Sequence, residues 1–450
     1  MDTKSKARSR FRAPKSPEEI AALQEQRRLK KEADANKPPP STPGAALLER
    51  AWIPFTVEGE SNLDLKILTW NILAQCLVRR ELFPTSNCLK VGQREPMIHQ
   101  EIQRLDADVL CLQEVDRMDK LGPMLEAAGY SYRYATGPKK LHGCLIAFKA
   151  SKFVFDEEKV VYYDDEDVRS EGGEAHRRGK SFQTRNIGLI VAVKRKESPV
   201  HGVIVSTTHL FWHPRYTYER ARQAGILVRE VARFKAIDLG RQNWPCIMAG
   251  DFNFPPDDPG YSLLTGSPLL PGQKDRLLPS YVVHRTVDPS IAQDQPQVAG
   301  DTEEGGEAEA VDPDRVITNA RPAQPSDGLL ATDELVSFHG QNLRARSAYA
   351  IGSRNHLATL SDPSKSDNPI YGSHNTVPED RPGYYEPKYT SYTHYWQSVL
   401  DYIFVLGDSQ FQVAGFLAAL EKEALEPGLP QKGVCGSDHL PLVTQLKFAV

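Results

Sequence analysis

No run of about 18 apolar residues occurs in this 450-residue chain, so no membrane-spanning helix is expected. The first residues, MDTKSKARSR, lack the apolar stretch of a secretory signal, so secretion is not expected either. Cysteine is scarce, six in all, and no two form a CxxC pair. Cys111, Cys144 and Cys246 lie in apolar, strand-like runs, which points to buried free thiols in a reducing compartment, cytoplasm or nucleus (nucleolus included). Internal repeats are missing, which removes solenoids and propellers. Excess charge of one sign is missing too, the net being −4. Seven acids fall in residues 301–314, however, with no Lys or Arg among them. Without that run the remainder is mildly basic, which allows a nucleic-acid groove without demonstrating one.

What is present is a hydrophobic content of 40%, enough for a large core. Residues 1–16 carry six Lys/Arg against one acid and read as a disordered basic arm. Ser16-Pro17-Glu18-Glu19 reads as a helix start, giving a solvated helix over 17–35, and Lys37 to Gly44 reads as a Pro-rich linker. The arm thus spans 1–60, and the folded body 61–450 begins near Leu63. Strands are expected at 65–70, 109–115, 144–148, 154–162, 187–193, 203–208, 246–249, 400–405 and 442–448. Helices are expected at 97–105 and 218–236, the latter with Ala221, Ile226, Leu227 and Val231 roughly on one side. Strands mixed with helices argue for an α/β or α+β class. Residues 163–182 and 289–343 read as insertions, the second as mostly structureless. A protein partner would engage the arm or the acidic insertion.

Polar residues stand where strands should end: Trp70-Asn71, Gln113-Glu114, Thr208-His209, Gly250-Asp251-Phe252-Asn253, Asp401 and Ser437-Asp438-His439. One Asp at a strand end is ordinarily a turn or cap residue. Together the set supplies four carboxylates, two Asn and two His at termini where α/β sheets present functional groups. Metal-assisted phosphate chemistry needs such a set: oxygen ligands for a hard cation such as Mg²⁺, a group to orient and deprotonate water, and cationic donors for the developing charge. A structural calcium site would use the carboxylates but leave the histidines unexplained. Trp212, Tyr216, Tyr392, Tyr395 and Trp396 are candidates to stack on bases, or else to brace the core, the reading favoured for Trp212. Arg177, Arg178, Lys180 and Arg185 are phosphate contacts or members of a solvated charged loop.

WN, LQE, THL, GDFN, LDYIF and SDHLPL occur in that order, and together they resemble the endonuclease/exonuclease/phosphatase superfamily from about residue 63 to 450. The resemblance implies a four-layer α/β/β/α sandwich of two mixed sheets flanked by helices, with the site at one edge of the sheets. WNILA and THLFWHP, with YERARQ and YTHYW, resemble the deadenylase branch and are closest to fungal RNA exonucleases that trim ribosomal RNA precursors. By this resemblance Glu114 binds Mg²⁺ (Mn²⁺ able to substitute) with Asn71 and Asp438. Asp251 positions or deprotonates water, and Asn253 holds water or a phosphate oxygen. His439, oriented by Asp401, contacts the scissile phosphate, and His209 approaches it from the other side. Trp212, His213, Gln223, Tyr395 and Trp396 would meet single-stranded RNA or an RNA 3′ end. The implied activity is a Mg²⁺-dependent 3′→5′ exoribonuclease, in ribosomal RNA trimming or poly(A) shortening. Two alternatives stay open: a phosphatase or phosphodiesterase on small nucleotides, and a non-catalytic RNA-binding scaffold.

Overall fold

Alternation of apolar residues from Leu63 to Trp70 produces the long strand on which the rest of the sequence is hung. The computed structural model describes residues 47–57, 59, 61–293, 316–360, 371 and 376–449. The expected helix 17–35, the linker and the acidic run 301–314 lie outside the described residues. In chain order the strands are β1 (Trp52–Pro54), β2 (Ser61–Asn71), β3 (Val109–Val115), β4 (Tyr130–Thr136), β5 (Gly143–Lys149), β6 (Phe153–Tyr162), β7 (Ile187–Arg195), β8 (Gly202–Thr208) and β9 (Cys246–Asp251). They continue as β10 (Val282–His284), β11 (Ala320–Pro322), β12 (Ala345–Ser347), β13 (Ser391–Tyr392), β14 (Gln397–Ser398), β15 (Asp401–Leu406), β16 (Phe411–Leu417) and β17 (Leu442–Ala449). Numbering only helices of nine residues or more, α1 is Val91–Leu105, α2 Met118–Ala127, α3 Thr217–Ile237, α4 Thr332–Gly340 and α5 Ala348–Thr359.

Two large sheets form, in the orders β1-β16-β17-β2-β3-β5-β4 and β12-β15-β9-β8-β7-β6. Within these sheets β2 and β3 pair parallel, as do β8 and β9, and all other pairs are antiparallel. A parallel neighbour needs a crossover, supplied by α1 between β2 and β3 and by α3 between β8 and β9. Leu65, Ile67, Val109 and Cys111 of one sheet meet Val191, Val205, Ile247 and Ile403 of the other in a shared core. The period of two sends Leu68, Trp70, Leu110 and Leu112 to the opposite face, against Ile98 and Ile102 of α1. The second sheet's outer face packs on α3 and α4 through Ile204, Met248, Leu227 and Leu335. The result is helix, sheet, sheet, helix.

The chain joins this body at Leu47, ahead of the start read near Leu63. Arg50 donates to the carbonyls of Ala418 and Pro441 at 2.8 and 2.6 Å, and β1 pairs with β16. The segment expected to be mostly structureless also differs where it is described. Its described part, residues 316–343, supplies β11 and α4, with Leu330 and Leu335 in the core. Few apolar residues there sufficed because Leu330, Leu335 and Phe338 are buried in the core.

The helix α3 departs most from its sequence pattern. Twelve consecutive residues, Thr217 to Val228, are buried, so it has no wet face in that half. Its charges are paired instead: Arg222 donates to Glu219 at 3.0 Å and to the carbonyls of Arg178 and Tyr163 at 2.7 and 3.0 Å. Glu219 accepts from the Ser181 amide at 2.9 Å. The segment 163–182 is thus bound to the body by the charged residues Arg222 and Glu219 of α3.

Candidate active site

At the end of β3 the ladder with β5 shifts between Leu112 and Val115, and Glu114 adopts φ +57°. A regular strand would send Glu114 into the helix layer with Leu110 and Leu112. The bulge re-aims it to the sheet edge. Gln113 stays between the sheets, donating to Thr69 and Thr207 hydroxyls at 3.1 and 2.9 Å, so it ties the two sheets together directly behind the site.

The C-terminal ends of β2, β3, β8 and β9 converge. Asn71 donates its amide to Glu114 Oε1 at 3.0 Å and to Asp251 Oδ2 at 2.9 Å. The Leu73 amide donates to Asn71 Oδ1 at 3.0 Å, which fixes the amide's orientation. The Ala74 amide donates to the other Glu114 oxygen at 2.9 Å. Asp251 receives the Asn253 amide at 3.0 Å, and Asn253, at φ +53°, donates its side chain to the Leu210 carbonyl at 2.9 Å. His209 lies 3.8 Å from Glu114 and 3.7 Å from Asp251.

On the facing side His439 Nδ1 and Asp401 Oδ2 are 2.8 Å apart, and His439 Nε2 is 3.7 Å from Asp251 Oδ2. With Nδ1–H given to Asp401, Nε2 faces the site. The Asp438-His439 loop is tied back to β2 by Ser437, whose hydroxyl donates to the Asn71 carbonyl at 2.6 Å, and by Trp70, whose indole donates to the His439 carbonyl at 2.7 Å.

Charge is concentrated and dry here. Burial alone would lower His439, but Asp401, Asp251 and Asp438 outweigh it and hold the imidazole well above its usual range. Burial lowers His209 from its usual range, against the opposing charges of Asp251 and Glu114. Burial raises Asp251, with Asp401 adding to the rise, and pushes Asp438 up to about 6, with Glu114 adding to that rise. Glu114 goes the other way: burial would raise it, but His209 and the bonds from Asn71 and Ala74 prevail. Four buried carboxylates thus face one imidazolium and the guanidinium of Arg94. That negative excess and the oxygen-rich donors around Glu114 suit a hard divalent cation. Donor atoms of Asp251, Asp401 and His439 also lie within 4.8 Å of one another. That trio suits a hard cation less well, because its imidazole is already bonded to Asp401.

The expected substrate residues divide. Trp212 is 54% exposed beside the His209 loop, contrary to the core role favoured for it, and Tyr395 is 62% exposed on the turn between β13 and β14. Gln223 is buried and spent internally, accepting from the Phe211 amide at 3.1 Å and donating to Thr184 at 3.0 Å. His213 is buried as well, with Nδ1 accepting from the Arg215 amide at 3.1 Å and Nε2 at 3.2 Å from the Val316 carbonyl. Trp396 braces the hairpin, bonding Ser391 at 3.0 Å and packing edge-on against Phe83. Direct substrate contact does not fit the two buried placements, Gln223 and His213, while Trp396 is half-buried. Arg177 and Arg178 are paired with Asp167 and Glu174, Lys180 donates to the Asp164 carbonyl, and Arg185 is exposed.

Two residues not anticipated join the site. His142 lies with its ring 6.3 Å from that of His209. Arg94 reaches in from α1; its spacing with Ile98 and Ile102, four residues apart on the buried stripe, was the sequence signal that an arginine faced inward.

A profile described as the endonuclease/exonuclease/phosphatase family matches residues 68–439. The chain belongs to that family. A probable RNA exonuclease of Schizosaccharomyces pombe is 30% identical, over 88% of this chain and 78% of its own length. RNA exonuclease NGL2 of Saccharomyces cerevisiae is 26% identical, over 96% of this chain and 89% of its own. The crystal structure of ANGEL2, described as a 2′,3′-cyclic phosphatase, superposes with a TM-score of 0.55 at 22% identity, covering 90% of this chain and all of that one. The human nocturnin catalytic domain gives 0.50 at 19% identity, covering 89% and 98%. These structures establish the endonuclease/exonuclease/phosphatase fold, two mixed sheets flanked by helices. With the family come a phosphoester hydrolase of the nuclease and phosphatase type and dependence on a divalent metal. Among the described residues no helix is long and apolar enough to cross a membrane.

Proposed function

We propose that this protein is a Mg²⁺-dependent 3′→5′ exoribonuclease that releases nucleoside 5′-monophosphates, working in RNA 3′-end processing. One observation carries the chemistry: Asp251 sits between the amide of Asn71 and the imidazole of His439, with the carboxylate of Glu114 on the same amide. The RNA assignment is supported by the two fungal relatives, both named as RNA exonucleases along most of their length. It is supported too by two exposed rings, Trp212, three residues after His209, and Tyr395, in the hairpin whose Ser391 bridges to His439. An exposed ring accepts any unpaired base, contributing about 1–3 kcal/mol per base.

In this reading Glu114, Asn71 and Asp438 hold the cation. A divalent cation such as Mg²⁺ held by them would supply charge neutralisation and polarisation at the phosphate. Asp251, made more basic by burial, orients the attacking water and takes its proton. The water oxygen bonds to phosphorus, and the bond from phosphorus to the 3′-oxygen of the shortened RNA breaks. His439, kept protonated by Asp401, donates Nε2–H to a phosphate oxygen as negative charge builds. His209 and Asn253 complete the polar wall.

Digestion of RNA in ¹⁸O-labelled water tests this. One ¹⁸O atom should appear in each released 5′-monophosphate, and the shortened RNA should end in a 3′-hydroxyl. Release of 3′-phosphates would overturn the bond assignment. Cleavage confined to dinucleotides would move the substrate to small nucleotides.

A further inference from the structure

The two halves of the proposed cation site come from loops far apart in sequence, and one buried side chain touches both. Arg94, on the first turn of α1, is 2% exposed. Its Nη2 donates to the Ile72 carbonyl at 2.7 Å and to the Leu73 carbonyl, just after Asn71. Its Nε donates to the Gly436 carbonyl at 2.7 Å, two residues before Asp438. Nη1 donates to Gln75 Oε1 at 3.0 Å. All four acceptors are neutral oxygens, so among the described residues no contact ion pair explains a guanidinium buried at this depth, which is costly by itself. Gly436 adds a second sign that α1 is seated on this loop. A Cβ there would come within 2.9 Å of the Arg94 carbonyl and 3.0 Å of Ile98, so the loop approaches the helix as closely as a glycine permits.

We propose that Arg94 is the positioning residue of the cation site, its planar fork setting the spacing between the Asn71–Glu114 half and the Asp438 half. The inference rests on the reading that Glu114, Asn71 and Asp438 are the ligands. Its effect is geometric. Arginine's charge near the site opposes cation binding, so a replacement that keeps the charge and removes the fork isolates the geometry. Arg94→Lys is that replacement, since an ammonium is a point donor and cannot span three carbonyls on two loops.

The test measures Mn²⁺ binding to the RNA-free full chain by electron paramagnetic resonance, with thermal melting in EDTA alongside. Arg94→Lys should raise the Mn²⁺ dissociation constant about 10- to 100-fold, the usual range when a residue that orients metal ligands is lost. The metal-free protein should still melt cooperatively. Catalysis at saturating metal should recover most of the wild-type turnover. A folded Arg94→Lys variant with wild-type Mn²⁺ affinity overturns the proposal. Should that variant fail to fold, Gln75→Leu, which removes only the Nη1 anchor, decides: a smaller rise in the dissociation constant supports the clamp, and an unchanged one overturns it. Glu114→Gln separates the two claims. If it binds Mn²⁺ normally, the ligand assignment itself is wrong; if it loses binding while Arg94→Lys keeps it, only the clamp is wrong.

Discussion

Asp401 contributes to His439 in two ways, orientation through the 2.8 Å bond and charge through its carboxylate. Asparagine can keep the contact but not the charge, and presents its amide to the wrong nitrogen state. Asp401→Asn should lower kcat by about two to four orders of magnitude, in line with a triad aspartate replaced the same way. Circular dichroism should show the fold unchanged; near-normal turnover would remove His439 from the charge-stabilising role. Asp251→Ala and His439→Ala should behave alike in kcat. At this scale the sequence was legible where a side chain's chemistry is rare and its place is a strand end, as for Glu114, Asp251 and Asp438. It misled where a polar residue is used inward. Gln223 and His213 lie in a motif beside the site, yet their polar atoms serve the neighbouring backbone. No pattern of one chain separates the two uses, because both need the same residue types.

The strand pattern located most of the sheet elements, since a strand buried on both faces reads as a short continuous apolar run. It missed β4, which is half-exposed and carries Tyr, Ser, Arg and Thr, and β16, which contains Gly415 at a bulge. The helix α3 was located, but its burial was not, because Glu219, Arg220 and Arg222 imitate a wet face. Removing one partner of this dry network should show its depth. Arg222→Ala leaves Glu219 without its cation and should cost about 3–5 kcal/mol in urea denaturation. A change under about 1 kcal/mol, the usual value of an exposed pair, would contradict the burial. A second buried acid gives a pH signature away from the metal site. Burial raises Glu386 to about 7, although Tyr261 donates to its Oε1 at 2.8 Å. The folded state therefore binds this proton more tightly than the unfolded chain. The associated stability is fully present below about pH 4.5 and is lost as pH rises through 7, by about 3 kcal/mol. Glu386→Gln should flatten that part of the stability profile; an unchanged slope would place the titration elsewhere.

Over the whole molecule, two sheets with parallel pairs at their centres bring four strand ends to one edge, and the loops there carry the exposed rings. Replacing both Trp212 and Tyr395 by alanine should raise KM for single-stranded RNA by about 10- to 100-fold through lost stacking, with kcat changed far less. A fall in kcat alone would mean the rings shape the catalytic groups instead. The sandwich was readable because six motifs in order define it; the substrate was less so, because the same edge serves nucleases and phosphatases alike. The most direct measurement uses 5′-labelled single-stranded RNA with a mixed-sequence body and a 3′ A-tail, incubated with and without Mg²⁺ beside Asp251→Ala. The account predicts a Mg²⁺-dependent ladder shortening from the 3′ end and absent in the variant. Internal cuts, or no shortening with any divalent metal, would contradict it.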